Sequence, residues 1–384
     1  MLILFFSGIT LSAHGEEQTL TILYTGSLKG ELESCGCSPK IDLGGVARLS
    51  GYISEHAKDL SPYILIDSGN FTPKDTPQGR LKTGAVLRSF NKIKYDAVAF
   101  GENEGMFPRD FLYPLIKENN IPVLCASSKN KRTLSLKRSN IELNISVDPA
   151  AREKGRLNIL LSERPVSEAK LIQGWDVIIT SSGEELEGIL ENNGVLIAAG
   201  YPKAKNLGIL KLRIGSDGKI LGHEHRWQPL GKEIKEDRVV RDILNDYDLK
   251  VARLLREAER PPADATYSGV KKCAECHRPF EESWKDTRHA NAFLTLEKAG
   301  KSSDPECIKC HTVGFGKEGG FYSIETTPEL ANVQCEECHG LDREHLDNFS
   351  KPLVPVTEKV CSKCHTKEHS PDFDYPVYFE KIKH

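Results

Sequence analysis

The chain has 384 residues, enough for two domains, with 39% hydrophobic residues, 28% charged residues and a formal net charge of -3. That near-neutral balance implies no strongly basic face and argues against a nucleic-acid partner. No apolar run reaches the roughly 18 residues a spanning helix needs, so no transmembrane segment is expected in the mature chain.

Met1 to Ala13 reads MLILFFSGITLSA, an apolar stretch of signal-core length. Small residues follow at Ala13 and Gly15, then acidic Glu16 and Glu17. The pattern predicts a secretory signal peptide over residues 1–15 and an exported, periplasmic or extracellular protein. A buried first strand is the competing reading.

Residues 16–235 alternate strand-like and helical runs. Strands are expected at Leu20–Tyr24, Tyr63–Asp67, Ala97–Phe100, Pro122–Ala126, Leu157–Leu161, Val177–Thr180, Val195–Ala199 and Ile209–Ile214, with helices at Gly45–His56 and Arg109–Glu118. Such alternation predicts a layered α/β domain with its sites at the C-terminal ends of the strands. The segments LTILYTGSLKGEL, GGVARL, LIDSGNF, YDAVAFGENEG and AAGYPKAKNLGILKL together resemble the 5'-nucleotidase-like metallophosphoesterase family over about Glu17 to Leu249. The resemblance implies a metallophosphoesterase-like layered sandwich.

Where the family carries metal-binding Asp and His, this chain has Ser27 and Lys29; the Asp of the family's G-D motif is Asn70. The family's G-N-H-E has become Gly101-Glu102-Asn103-Glu104, and a serine stands where a histidine is expected after the Asp176–Thr180 strand. A dinuclear phosphoesterase needs carboxylates and imidazoles to hold two cations and form hydroxide at neutral pH. The resemblance therefore implies a metal-ligand-depleted module for docking or binding. Lys29 is expected to replace the lost cation electrostatically, facing Glu102.

Of the three cysteines of this region, Cys35 and Cys37 lie in the loop after the first strand and Cys125 ends a later strand; on the family's fold all three face the old active-site cleft. A structural disulfide plus one buried thiol is one reading for an exported protein; a redox or sulfur-binding thiol cluster is the other. His223 and His225 are expected as solvated strand residues. From Glu236 to Arg260, apolar residues recur every three or four positions and predict a helix, which Pro261-Pro262 stops. Residues 236–264 thus read as a helix and linker.

The last segment, 265–384, holds the remaining eight cysteines as four C-x-x-C-H runs: Cys273/Cys276/His277, Cys307/Cys310/His311, Cys335/Cys338/His339 and Cys361/Cys364/His365. Chance would supply about 0.01 such pentapeptides in a chain of this composition, so four of them point to c-type haem attachment. Two thiols three apart reach the two vinyl groups on one porphyrin edge, and the adjacent histidine falls beneath the iron as proximal ligand. Zinc ribbons do not require a histidine after each pair, and thioredoxin-like dithiols come singly. Four covalently bound haem c groups are expected, wrapped in short helices and loops with little protein core.

Distal ligands are sought among His289, His345, His384 and His369. An iron with two histidines passes electrons only, whereas one with a single histidine can bind a small molecule. The strings YSGVKKCAECH, RHANAF, CHTVGFG, NVQCEECHG and HSPDFDY resemble the tetrahaem cytochrome c family of nitrifying bacteria over about Tyr267 to His384. That resemblance implies a mostly α fold, paired haems, and distal ligands at His289, His345 and His384, with one haem that can lack a distal histidine.

The first function expected is exported electron transfer with redox partner proteins or quinone-linked reductases. The alternatives are an oxidoreductase acting on a small nitrogen or sulfur compound, at an open haem or at Cys35/Cys37/Cys125, and a retained metallophosphoesterase.

Overall fold

The computed structural model describes residues 17–34, 36, 38–128, 131–258, 267–341, 343–348, 351, 353 and 355–384. The segment 1–16, which includes the expected signal peptide, together with Cys35, Cys37 and residues 259–266, lies outside the described residues. The chain forms two compact units: Met1–Glu33, Leu43–Asp75 and Lys82–Val240 make the first, and Ser34–Asp42, Thr76–Leu81 and Arg241–His384 the second.

The first unit is built on two sheets. In chain order, β1 (Gln18–Thr25), β2 (Tyr63–Asp67), β3 (Ala97–Ala99) and β4 (Val123–Leu124) start one sheet. The other contains β5 (Thr133–Arg138), β6 (Ile141–Ser146), β7 (Leu157–Ser162), β8 (Val177–Thr180), β9 (Leu190–Asn192) and β10 (Val195–Ala199). The chain then returns to the first sheet as β11 (Asn206–Ile214) and β12 (Ile220–Pro229). The strand orders are β12-β11-β1-β2-β3-β4 and β5-β6-β7-β8-β10-β9. β1 to β4 run parallel, as do β6, β7, β8 and β10, while β11 pairs antiparallel with β1, Ile22 opposite Leu210.

Parallel strands buried on both faces read as continuous apolar runs, which is why segments such as Tyr63–Asp67 are legible in the sequence. The inner faces meet in one core, with Ile22, Ile64 and Ala97 of one sheet packed with Ile145, Ile159 and Ile179 of the other. All eight expected strands are present, three with the limits read from sequence and five with shifted ends, and the helices Val46–Leu60 and Arg109–Glu118 lie where the apolar period places them. The sequence reading missed β5, β6, β9, β12 and the helix Pro77–Ile93. β5 and β12 alternate in burial and carry many charges, so no apolar run marks them.

His225 corrects the expectation of a solvated residue. It lies on β12, half-buried, with Nε2 2.9 Å from the Tyr24 hydroxyl and its ring against Trp227. Burial, and then the charge of His223, pushes its pKa down to about 4.

The C-terminal ends of the parallel strands of both sheets converge. The Ser68 hydroxyl bridges the Thr25 and Thr180 carbonyls at 3.2 and 3.1 Å. A Cβ on Gly200 would stand 2.5 Å from the Gly26 Cα, so only glycine permits this approach.

In the second unit the secondary structure is helical, and apart from Arg238–Glu257 and Gly269–Lys285 the helices are short. The former helix starts and stops inside the range the periodicity predicts. One small core of Tyr267, Phe293, Leu296, Ile308, Val313, Phe321, Leu330 and Ala331 holds the segment after Tyr267 together. Little apolar protein surface is buried there for a segment of its length, as expected of a fold arranged around macrocycles. No helix among the described residues is long and apolar enough to cross a membrane.

Candidate functional site

Each C-x-x-C-H run sits on a helical turn, which brings two cysteines three apart to one side. The first lies in the helix Gly269–Lys285, whose backbone departs from helical at His277 (φ -116°, ψ 40°). The second begins in the helix Pro305–Ile308, capped by the Asp304 carboxylate on the Glu306 N–H at 2.9 Å. The third is the helix Cys335–His339, ended by Gly340 at φ 77°. In the fourth, after the helix Glu358–Cys361, the His365 N–H returns to the Cys361 carbonyl at 2.9 Å.

Thiols of different motifs touch. The Cys273 S–H donates toward Cys335, which pushes the Cys273 thiol up and the Cys335 thiol down. Cys364 stands in the same relation to Cys310. The first motif is thereby set beside the third, and the second beside the fourth.

Cys276 differs from the other seven motif cysteines. It is exposed, whereas the other seven are partly buried. Cys273 turns inward onto Cys335, while Cys276, three residues on, is open to solvent. The Cys276 thiol is therefore not enclosed by protein on this turn.

The histidines pair across the same segment. Ring centroids lie 5.8 Å apart for His277 and His345, 6.1 Å for His289 and His365, and 6.0 Å for His339 and His384. Imidazole nitrogens bind metals at about 2 Å, so two rings on opposite sides of one iron have centroids about 6 Å apart. The residues therefore fit the haem groups that the motifs imply. Backbone carbonyls lie by the Nδ1 atoms of His311 (Ala292, 2.6 Å), His345 (Lys351, 2.5 Å) and His384 (Ile382, 3.1 Å), which leaves Nε2 for a metal. Among the described residues no imidazole ring pairs with His311. His369 is anchored through its N–H on the Thr366 carbonyl at 3.1 Å and belongs to none of the three pairs. Burial, followed by the charges of His365 and His311, lowers the His289 pKa.

The variable residues of the third motif hold the segment together, a role the motif pattern could not reveal. Glu336 accepts from the Ser268 and Gly269 N–H groups at 3.0 and 2.8 Å, at the start of the helix bearing the first motif. Glu337 accepts from Gly314 N–H at 3.0 Å, just after the second motif. Buried Gln334 bonds Val270, Glu329 and Ala331 backbones.

In the first unit, the residues at the expected phosphoesterase positions do gather at the strand ends. Asn70 accepts from Asn103 N–H at 3.0 Å and donates to the Ser181 hydroxyl at 3.3 Å. The fully buried Glu104 carboxylate accepts from Gly101, Asn70 and Thr72 N–H groups at 2.7, 3.0 and 2.8 Å and from the Thr72 hydroxyl at 2.8 Å. Asp67 accepts from Thr25 at 2.6 Å and from Gly69 N–H at 2.9 Å, and burial pushes its pKa up to about 7.

A dinuclear metal centre does not fit this donor set. The carboxylates face inward onto protein donors, and among the described residues no three His, Cys, Asp or Glu side chains are placed to hold a metal ion. The expected pairing of Lys29 with Glu102 is absent: both are exposed, and the Lys29 Nζ lies toward Gly183 instead. Cys125 is buried in the first unit with Sγ 3.1 Å from the Ser127 hydroxyl. Cys35 and Cys37 are outside the described residues. Lys40 bonds Asp372 at 2.9 Å.

Residues 272–340 match the family model described as cytochrome c554 and c-prime. Cytochrome c-554 of Nitrosomonas europaea is 38% identical over 104 residues, 23% of this chain and 44% of that protein. A snake venom 5'-nucleotidase of Gloydius brevicauda is 30% identical over 161 residues, 38% of this chain and 26% of that protein. The chain thus spans less than half the length of these curated relatives. Among solved structures, a 5'-nucleotidase precursor from Thermus thermophilus superposes with a TM-score of 0.55 at 16% identity, covering 74% of this chain and 68% of that one. The chain joins an α/β region with the 5'-nucleotidase-like fold to a C-terminal segment similar to the cytochrome c554 family.

Proposed function

We propose that this chain is an exported electron carrier holding four haem c groups in its C-terminal segment, with the phosphoesterase-like region as a docking or binding module. The observation that carries this reading is the pairing of proximal with distal histidines at about 6 Å in three of the four motifs. Haem supplies one-electron transfer; the chain's contribution is to fix the ligands and the spacing.

In this reading His277, His311, His339 and His365 are proximal ligands, and His345, His384 and His289 are the distal partners of the first, third and fourth. The attachment thiols are the eight motif cysteines, with Cys276 the most open to solvent of them. Because sulfurs of the first and third motifs abut, and likewise the second and fourth, the four groups form two close pairs that exchange electrons readily. The domain limits proposed are 16–235, 236–264 and 265–384, after a signal peptide at 1–15, and the partners are redox proteins or quinone-linked reductases outside the cytoplasm.

The position of His311 outside the three imidazole pairs favours a second reading, in which that iron is open and converts a small nitrogen or sulfur compound. Carbon monoxide added to the dithionite-reduced protein separates the two. No spectral change supports a closed conduit and makes His369 a ligand; a shift in about one haem of four supports the open iron. A pyridine haemochrome assay giving fewer than four haems per chain overturns both.

A further inference from the structure

We propose that Phe280 is a positioning residue shared by two haem centres. Its ring lies against His277, a ligand of the first, and His384, a ligand of the third, fixing the planes of both imidazoles and keeping water from both. The proposal rests on the haem reading of the C-terminal segment and adds to it a residue outside the four motifs.

Phe280 is a large apolar side chain left 44% exposed, and it lies outside the small core around Phe293 and Phe321. The rings it touches account for its place. Its centroid is 5.6 Å from that of His277 with the planes 13° apart, and 4.9 Å from that of His384 at 36°. These imidazoles belong to different irons, because His277 pairs with His345 and His384 pairs with His339. One ring therefore packs on ligands of two centres, in the offset and tilted arrangements aromatic rings prefer. The contact of Cys273 with Cys335 sets the same two motifs side by side.

The local sequence supports this packing. Phe280 follows His277 by three residues in the helix Gly269–Lys285, where side chains at that spacing are neighbours. Pro279 brings no N–H to the helix ladder, and the backbone leaves helical values at His277. Two effects follow from a ring in this position. An imidazole rotates about its bond to the metal, and a flat ring stacked on its face restricts that rotation. An oxidised haem centre carries one more positive charge than a reduced one, so apolar cover that excludes water favours the reduced form and raises the potential. Phe373 offers a comparison within the same chain: its ring stacks 4.8 Å from His365 with the planes 12° apart, on a ligand of the fourth centre.

The test is paramagnetic resonance of the full haem-loaded chain in its fully oxidised state, followed by spectroelectrochemical titration. Full oxidation gives every iron the same charge in all variants, so no change is relayed through the redox state of a neighbour. Phe280→Ala should change the g values of two low-spin haems and lower the potentials of the same two; Phe373→Leu should change the g values of one. Phe280→Leu keeps apolar cover without a flat ring, and should alter the g values while retaining most of the potential. Phe280→Tyr keeps the ring and should restore the wild-type spectrum. A pyridine haemochrome assay confirms four haems in each variant, and if Phe280→Ala loads fewer, Phe280→Leu decides. A wild-type chain with fewer than four haems, or without low-spin signals, overturns the haem reading and this proposal with it. With both present, unchanged g values in the Phe280 variants, or a change confined to one haem, overturns the proposal alone.

Discussion

The imidazole rings of His277 and His345 lie with centroids 5.8 Å apart, although they come from different helices of the C-terminal segment. That spacing suits one iron between them. Replacing His345 with Ala should convert a single low-spin haem to high spin and add carbon monoxide binding by about one haem in four. His311 variants should not show this, since removing a proximal ligand destabilises the haem instead. Optical and paramagnetic resonance spectra of the reduced and oxidised variants check the outcome.

The thiol contacts of Cys273 with Cys335 and of Cys310 with Cys364 divide the motifs into two pairs. A Cys335→Ala/Cys338→Ala variant that lacks the third haem should shift the potential of the first haem by tens of millivolts. The second and fourth should move less, because Coulomb coupling falls with distance. Spectroelectrochemical titration of the variant reads the shift directly.

Glu336 ties the third motif to the start of the first motif's helix through two backbone N–H groups. Glu336→Gln keeps the shape and loses the charge on those bonds, and should cost about 1–2 kcal/mol of stability. Chemical denaturation monitored at the haem absorbance measures it, with Glu337→Gln, which removes the charge from a single bond to Gly314, expected to cost less.

Asp67 is protonated more readily in the folded chain than in the unfolded one, because burial raises its pKa from 3.8 to about 7. The folded state therefore binds the proton more tightly, and this contribution to stability is complete below pH about 4 and lost as pH rises through about 7. Its size is on the order of 4 kcal/mol. Asp67→Asn should flatten the decline in stability across that window. Part of the slope should survive, because burial raises the Glu104 carboxyl in the same direction. Melting temperatures at several pH values test both statements.

His225 acts with the opposite sign. Its folded pKa, about 4, lies below the ordinary histidine value of 6.5, so its contribution is present above pH 6.5 and fades as pH falls toward 4. His225→Gln should remove that loss while sacrificing part of the bond to Tyr24. A variant with unchanged acid sensitivity between pH 6.5 and 4 would show that the imidazole is not the group responsible.

Much of the fold was legible because its signals are local. Tyr63–Asp67, Val177–Thr180 and Val195–Ala199 are apolar nearly throughout, as strands buried on both faces must be, and each appears in the sheets with the limits read from sequence. The strands β5 and β12 escaped notice because one face of each is exposed and charged, so their pairing rests on neighbours beyond any local pattern. His225 escaped for the same reason: nothing near it in the chain announces that Tyr24, on another strand, will cover it.

The sequence by itself carries the whole haem-attachment signal: a C-x-x-C-H run is complete within five residues, so its spacing and its histidine need no help from elsewhere. It also shows Ser27, Lys29 and Asn70 where the resembled family carries metal-binding Asp, His and Asp. Only the tertiary structure decided which histidine meets which, that Cys273 turns inward while Cys276 faces solvent, that Glu336 and Glu337 bind distant backbone, and that Ser27 is buried without a partner. Those are relations between residues far apart in the chain, set by how strands and helices pack, and no local pattern encodes them.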